Sequence, residues 1–385
     1  MVENRETRFE QDIETSLIQR GGWEKESFQD SHYEDSVGID VDKLIAFIEK
    51  TQPKQWERYL TIYQIDAKRK LMKRFDEEVN THGVLHVLRN GIRDRGVTLK
   101  VAFFRPVSGL NEELQEKYEA NRFTCTRQFA YSPNNRNTID MVLSVNGIPL
   151  VALELKNQYT GQSVENALVQ YQQNRNPKEL VFNFNRRFLV YFAVDHYEVY
   201  MTTKLAGNKT YFLPFNQGSK GPGNNGGQGN PQNPDGYPTA YLWEQVLQRD
   251  HLMDVFQRFM NLEVKKEKQD GKEITKKTLI FPRYHQLDVV RKLIADVKMK
   301  GSGENYLIQH SAGSGKSNSI AWLAYHLASA HDKEDHPIFA STIIVTDRTV
   351  LDRQLQNTIL SFDHTTGLVE TIDHSKSSQD LKNAI

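Results

Sequence analysis

Asp140, Glu154 and Lys156 are the residues whose types and spacing could support phosphodiester chemistry. Asp140 stands near the start of the run TIDMVLSV, and Glu154 and Lys156 close the run IPLVALELK, with Asn146-Gly147 between the two runs. Asn-Gly between β-rich apolar runs is the strongest short-range hairpin signal, because both turn positions favour positive φ. Side chains two apart on a strand share a face, so Glu154 and Lys156 project together while Leu153 and Leu155 turn away. A charged pair inside so apolar a run is costly to bury without a use. Two carboxylates can hold Mg²⁺, which takes oxygen ligands and keeps several waters. A metal so held acidifies a bound water and neutralises charge on a phosphate, while an adjacent lysine orients the water or stabilises the developing charge. A lone Glu-x-Lys says little, since exposed strands alternate these types freely. The aspartate at hairpin distance, the apolar flanks and the helical run SVENALVQYQQNR make it a candidate site.

A second constellation lies in HSAGSGKSNS. Gly313, Ser314, Gly315, Lys316 and Ser317 form the core of a Walker A loop, in which glycines let backbone N–H groups turn toward a phosphate at a helix N-terminus. Lys316 would reach the β- and γ-phosphates of ATP, and the Ser317 hydroxyl would ligate the accompanying Mg²⁺. His310 stands where the first glycine of the full motif is usual, a departure that points to helicase-type motors of superfamily 2. Arg283-Tyr284-His285-Gln286 resembles the adenine-reading element of such motors, with Gln286 as the reader. STIIVTDRTVLDRQL resembles their next motif. Asp347 is followed by Arg348 rather than glutamate, so it does not read as the acidic residue that activates water. The expectation is weak ATP binding without hydrolysis or movement.

The elements that must position these residues follow from periodicity. Phe9, Ile13, Leu17 and Ile18 predict an amphipathic helix closed by Gly21 and Gly22, and further helices are expected from Asp42 to Arg93. Strand patterning starts at Val97–Phe104 and continues through RQFAYS, TIDMVLSV, IPLVALELKN, RFLVYFAVD and EVYMTT. Residues 216–238, rich in Gly, Asn and Pro, predict a mobile surface loop. The helical run YLWEQVLQRDHLMDVFQRFM beyond it should pack back on the first domain. The charged stretch 264–278 reads as a linker between a domain of residues 1–263 and a second of 279–385. In the second domain NYLIQH and STIIVTD, alternating with helices, predict a parallel α/β sheet.

Bulk properties narrow the class. The 385 residues balance 49 Lys+Arg against 49 Asp+Glu, so any grip on nucleic acid must come from a local groove or from a partner. No apolar run approaches the ~20 residues that span a bilayer, and the charged N-terminus lacks a signal-peptide core. With Cys125 as the single cysteine, an internal disulfide is excluded, and a cytoplasmic location with no membrane partner is expected.

Asp140 followed by Glu154-x-Lys156 resembles the PD-(D/E)xK nuclease core, with Ile139 in place of the proline. That resemblance implies an extra metal ligand at Glu10, where the bare sequence equally allows a solvated helix face. It also implies a supporting role for Gln170 as the start of a Gln-x-x-x-Tyr element, half matched because Asn174 holds the tyrosine position and Tyr171 adjoins the glutamine. Taken together, LRNGIRDRG, RQFAYSPNNRNTIDMVLSVNGIPLVALELKNQYTGQ, TTKLAGNKTYFLPFN, TAYLWEQVLQRD and HSAGSGKSNSIAWLA look like the restriction (HsdR) subunit of type I restriction–modification systems. The resemblance spans nearly the whole chain. It implies a PD-(D/E)xK nuclease-like α/β domain followed by the first part of a RecA-like parallel α/β domain. It further implies double-stranded DNA as substrate, Mg²⁺ and ATP as cofactors, and methyltransferase (M) and specificity (S) subunits as partners, within a longer subunit. A nuclease–helicase fusion from another DNA-defence or repair system, and a nuclease fold kept only for docking, stay open. His82 and His86 lack an evident third metal ligand, Asp66–Phe75 reads as a solvated helix face, and Lys220 has no assignable role.

Overall fold

The computed structural model describes residues 3–346 except 32, 35, 108–110, 133–136, 270 and 271, and beyond 346 only 355, 356, 358, 359, 379 and 382. The chain divides into two compact units: Met1–Pro106 with Glu112–Gln257, and Val107–Asn111 with Arg258–Ile385.

The first unit opens with helix α1 (Glu3–Arg20), which buries Phe9, Ile13 and Leu17 along one stripe, leaves Ile18 half-buried, and closes where the Gly21 N–H bonds the Leu17 carbonyl. Strand β1 (Glu24–Ser27) and a small hairpin of β2 (Tyr33–Glu34) and β3 (Ile39–Asp40) follow. The expected helical region is formed by α2 (Val41–Thr51), α3 (Pro53–Tyr63), α4 (Ala67–His82) and α5 (Val84–Asn90). The strand expected from Val97 is short: β4 (Ile92–Asp94) and β5 (Val97–Leu99) make a tight hairpin, and α6 (Glu112–Glu119) follows.

The central sheet is completed by β6 (Phe123–Ala130), β7 (Thr138–Val145), β8 (Ile148–Leu155), then helix α7 (Val164–Gln173), β9 (Val190–Val194), β10 (Val199–Thr202) and β11 (Leu213–Pro214). Its order is β1-β6-β7-β8-β9-β10-β11, with β1–β6 and β8–β9 parallel and the other neighbours antiparallel. A parallel pair needs a crossover, and α7 supplies it between β8 and β9. All eight positions of β8 are buried, which explains why the run reads as almost unbroken apolar sequence. On the α7 face a core of Phe129, Ile139, Val142, Ala152, Ala167 and Tyr171, among others, closes over the sheet.

The β7–β8 turn has the conformation its sequence predicts, with φ of 50° at Asn146 and 82° at Gly147. It is also a packing site: the buried Asn146 side chain donates to the Val101 carbonyl and Asn121 Oδ1, and accepts from the Arg122 N–H. A Cβ on Gly147 would lie 2.3 Å from the Asp40 carbonyl oxygen. Beyond the turn the ladder shifts by one residue. Ser144 pairs with Pro149, yet Leu143 pairs with Val151, leaving Leu150 as the extra residue of a bulge. Pro149 contributes no N–H to the ladder, and bulges are one of the few places a sheet tolerates that.

Residues 216–238 form no helix or regular strand, as their composition predicts, but they are stitched together. The Gln217 N–H bonds Asn230 Oδ1, and Asn230 Nδ2 donates to the Tyr197 carbonyl and to Asn216 Oδ1. The segment after the loop, with a wide helical turn at Leu242–Val246 and helix α8 (Arg249–Asp254), folds back on α1. Trp23 Nε1 donates to the Leu247 carbonyl at 2.7 Å, and the Arg249 N–H bonds the Gly21 carbonyl at 2.9 Å.

The second unit departs from expectation in two places. From the stretch expected as a linker, residues 264–269 and 272–278 lie in the paired strands of a long antiparallel ladder, β12 (Asn261–Gln269) and β13 (Lys272–Ile280). Its β-branched residues (Val264, Ile274, Thr275, Thr278) and the Lys266–Glu273 pair, 3.4 Å apart across the strands, favour a solvated two-stranded ribbon despite the charge. After β13 come α9 (Tyr284–Lys300) and α10 (Lys316–Leu327), which bury Leu287, Val290, Leu293 and Trp322. NYLIQH and the described part of STIIVTD form no strands, with Leu307 93% and Val345 87% exposed. A parallel strand exists only when neighbours hydrogen-bond its edges and helices cover its faces, and the described residues supply neither to these runs. The parallel sheet expected in residues 279–385 is therefore absent among the described residues, and Asp347 and Arg348 lie outside them.

Candidate active site

Asp140 sits on β7 and Glu154 near the end of β8. In the register set by the turn itself, Asp140 would lie opposite Leu153, with Glu154 on the other face of the sheet. The bulge at Leu150 moves the pairing so that Met141 faces Leu153, and the next position brings Asp140 across from Glu154. Opposed residues share a face, so this single extra residue puts both carboxylates on the α7 side. The Leu155 N–H donates to Asp140 Oδ2 at 2.7 Å, continuing the contact between the strands through a side chain. Lys156 follows the last residue of β8; its N–H bonds the Val194 carbonyl, and its Nζ lies 3.8 Å from Asp140 Oδ2. Leu153 and Leu155 are buried on the opposite face, as the alternation predicts.

Glu154 is completely buried. One oxygen, Oε1, accepts from Arg175 Nε at 2.8 Å and lies 2.6 Å from Arg175 Nη2. The other, Oε2, is buried without a hydrogen-bond partner. Burial, reinforced by the charge of Asp140, pushes the Glu154 carboxyl well above the usual carboxylate range, while Arg175 and Lys156 pull the other way. Arg175 is fixed in turn, donating to the Tyr131 hydroxyl at 3.2 Å and to the Thr138 carbonyl at 2.6 Å. It lies just past the end of α7, and the sequence reading missed it. An arginine after a helix end is common for dipole and solvation reasons alone, so its type and position carried no distinguishing signal.

Glu10 and Gln170 take different places. Glu10 is buried on α1, where Oε2 accepts from Arg127 Nε and Nη2 at 3.1 and 3.0 Å and Oε1 accepts from Gln128 Nε2 at 3.1 Å. It is not on a solvated helix face. Burial first and the nearby charge of Asp140 second raise its carboxyl above the usual range. Gln170 is half-buried on α7, beside the inward-facing Ala167 and Tyr171, and shares no described hydrogen bond with Asp140, Glu154 or Lys156. Among the described residues no three His, Cys, Asp or Glu side chains already converge as a metal cage.

The donor chemistry nevertheless suits a hard divalent cation at two carboxylates. An orphaned oxygen on a fully buried glutamate, across from a second acid, is a costly arrangement that a cation would relieve.

In the second unit Gly313 and Gly315 adopt φ of 74° and 82°, and α10 starts at Lys316. Lys316 Nζ donates to the His310 and Ser311 carbonyls, both at 3.0 Å, curling over the loop that a phosphate would enter. Ser314 is buried with its hydroxyl unpartnered, and Ser317 is half-buried on the first turn of α10. Gln286 is buried and has both amide ends engaged by backbone: Nε2 donates to the Gly315 carbonyl at 2.8 Å, and Oε1 accepts from the Arg283 N–H at 2.9 Å. In this structure Gln286 braces the phosphate loop. Gly315 is favoured by its φ, and a Cβ there would approach Gln286 Nε2 to 2.4 Å, so the bracing amide would have to shift.

Comparison with known proteins agrees with this division. Residues 4–210 match the family described as type I restriction enzyme R protein N terminus, and residues 285–385 match the SWI2/SNF2 ATPase family. A putative type I restriction enzyme MjaVIIIP endonuclease subunit of Methanocaldococcus jannaschii is 22% identical over 360 residues, which is 91% of this chain and 31% of that protein. The chain thus spans about a third of the length of the curated relative it matches.

Proposed function

The chain belongs to the type I restriction enzyme R protein N-terminus family, and from that premise we propose that its first unit is a metal-dependent endonuclease acting on double-stranded DNA. One observation carries the reading: a wholly buried glutamate with an unpartnered oxygen, brought by a bulge across from a second acid and followed by a lysine. Asp140 and Glu154 would hold Mg²⁺, which would supply an acidified water and neutralise charge on the phosphate. Lys156, tethered near Asp140, would orient the attacking water and face the charge that develops on the phosphate oxygens. Arg175 holds Glu154 Oε1, leaving Oε2 as the free ligand atom. Glu10, bound by Arg127 and Gln128, would act on the centre through its charge rather than through coordination. Gln170 would support DNA handling from α7.

Residues 285–385 would begin a RecA-like motor that binds ATP with Mg²⁺ through Gly313, Ser314, Gly315, Lys316 and Ser317, with Gln286 bracing the loop. In the whole subunit that motor would translocate DNA past the nuclease, and methyltransferase and specificity subunits would read the target. Delegated recognition fits a chain of zero net charge. No described helix is long and apolar enough to cross a membrane.

The test is a Mn²⁺ titration by calorimetry with a short DNA duplex present. The expected result is a saturable site in the wild type that Asp140→Ala abolishes. In the assembled enzyme Lys156→Ala should lower cleavage by at least 100-fold, in line with loss of a positioned transition-state donor. Cleavage by Lys156→Ala at the wild-type rate would overturn the catalytic reading.

A further inference from the structure

A cavity of about 470 Å³ in the first unit is lined by Arg8, Phe9, Asn157, Tyr159, His196 and Tyr237, and the function proposed above leaves it without a role. Two of its walls are chain neighbours of the candidate centre: Phe9 precedes Glu10, and Asn157 follows Lys156. The inner wall is buried, with Phe9, Asn157 and His196 at 1%, 3% and 5% exposure, whereas Arg8 and Tyr159 form an open rim. Four rings surround the space. His196 lies 4.7 Å from Phe9, 4.9 Å from Tyr237 and 5.3 Å from Tyr159 between ring centroids, and Phe9 lies 4.9 Å from Tyr237.

The chain is built to hold these rings in place. Asp195 Oδ1 accepts from the Tyr197 and Glu198 N–H groups, making the turn that carries His196 inward from β9. Asn157 Oδ1 accepts from the Tyr159 N–H, fixing the loop that presents Tyr159 at the rim. The Tyr237 hydroxyl donates to Asp12 on α1 at 2.8 Å. His196 Nε2 is itself closed off behind the wall, with no hydrogen-bond partner, and burial lowers the pKa of the imidazole against the nearby charge of Asp195.

The lining selects its ligand by chemistry. A purely apolar occupant would leave the exposed Arg8 guanidinium unused, and a bare phosphate would leave the exposed Tyr159 ring unused. A flat heteroaromatic ring joined to an anion satisfies the tyrosine rings and Arg8 together. The volume lies in the ligand-pocket range of about 300–1,000 Å³. We propose that this cavity receives one unstacked nucleobase of the DNA strand being cut, with the base against Tyr159 and Tyr237 and the neighbouring phosphate on Arg8. The proposal rests on the nuclease reading and deepens it: the centre takes a strand locally opened from its duplex.

The experiment uses the 385-residue chain in EDTA, so neither metal nor cleavage enters. The probe is a single-stranded oligonucleotide carrying one 2-aminopurine, whose fluorescence is quenched on stacking. Quenching on binding is expected, with Kd weakened roughly tenfold by Tyr159→Ala, the loss of one base stack, and restored by Tyr159→Phe. Tyr159 is 72% exposed, so its replacement does not threaten the fold, and Tyr211→Ala, at a tyrosine 75% exposed, serves as the control that should change nothing. Equal affinity of wild type and Tyr159→Ala, or an equal loss with Tyr211→Ala, overturns the proposal. So does binding of free 2-aminopurine nucleoside monophosphate as tight as that of the oligonucleotide, which would assign the cavity to a diffusible nucleotide. The Mn²⁺ titration reports the nuclease reading separately, so either idea can fail while the other stands.

Discussion

At Glu154 two effects of different size compete. Removing one partner of a buried ion pair costs about 3–5 kcal/mol when the other charge is left stranded. A carboxyl can escape that cost by taking a proton, and Glu154 is already pushed upward by burial and by Asp140. Arg175→Ala removes an influence that lowers its pKa, so the carboxyl rises further. A group whose folded pKa is raised stabilises the fold at low pH and loses that contribution as pH climbs through the folded value. In EDTA, therefore, the Arg175→Ala protein, which at every pH lacks the bonds to the Tyr131 hydroxyl and the Thr138 carbonyl, should melt below wild type in mild acid and progressively further below it toward alkaline pH. Thermal melts across that range check this, and a pH-independent gap would contradict it. Divalent-metal affinity should rise with pH in both proteins, because only the ionised carboxylate is a ligand, with the curve of Arg175→Ala displaced to higher pH. The meeting of Asp140 with Glu154 depends on the bulge at Leu150, but at this scale Glu154 and Lys156 were legible as a pair because strand periodicity puts residues two apart on one face. Arg175 was not, since its pairing depends on the α7 crossover returning over β8 and leaves no trace in spacing.

Among the elements, the hairpin was the most readable, since Asn146-Gly147 demands positive φ at two successive positions. Its packing was less so: that Asp40 leans on Gly147 follows from the placement of β3, which no local pattern encodes. Gly147→Ala combines an unfavourable φ with a Cβ 2.3 Å from backbone. We expect a loss of about 1–3 kcal/mol in a denaturant titration, larger than for Gly161→Ala, where a Cβ would meet nothing within 4 Å at a similar φ of 79°. Equal losses would mean that the Asp40 contact gives way freely. Residues 264–278 read as a linker on their charge, whereas the few β-branched residues among the lysines, with Lys266 paired to Glu273 across the strands, favour a solvated ribbon. NYLIQH was misread for the opposite reason: its apolar composition suits a strand, but composition does not provide the neighbours that make one.

For the whole molecule, the residues of the proposed cutting centre all belong to one unit and the phosphate loop to the other. Lys316→Ala should abolish binding of a fluorescent ATP analogue and leave the Mn²⁺ isotherm of the first unit unchanged. An altered isotherm would show that the loop lysine influences the carboxylates across the units. The neutral total charge was readable at once and pointed to shared recognition. The division near Gln257 was not, because the helical run that contains it is apolar on both sides of the boundary.

The bulge at Leu150 gives the hairpin a parity. Between Gly147 and Glu154 the number of ladder-paired residues, rather than their identity, decides whether the two acids meet. Deletion of Leu150 would close the bulge and leave the two acids opposed, whereas one further ladder-paired residue after it would keep Asp140, Glu154, Lys156 and Arg175 in the chain and yet bring Leu153 across from Asp140. Motif matching alone would count such a relative as intact, whereas counting the residues of this strand would identify it as unable to assemble the centre.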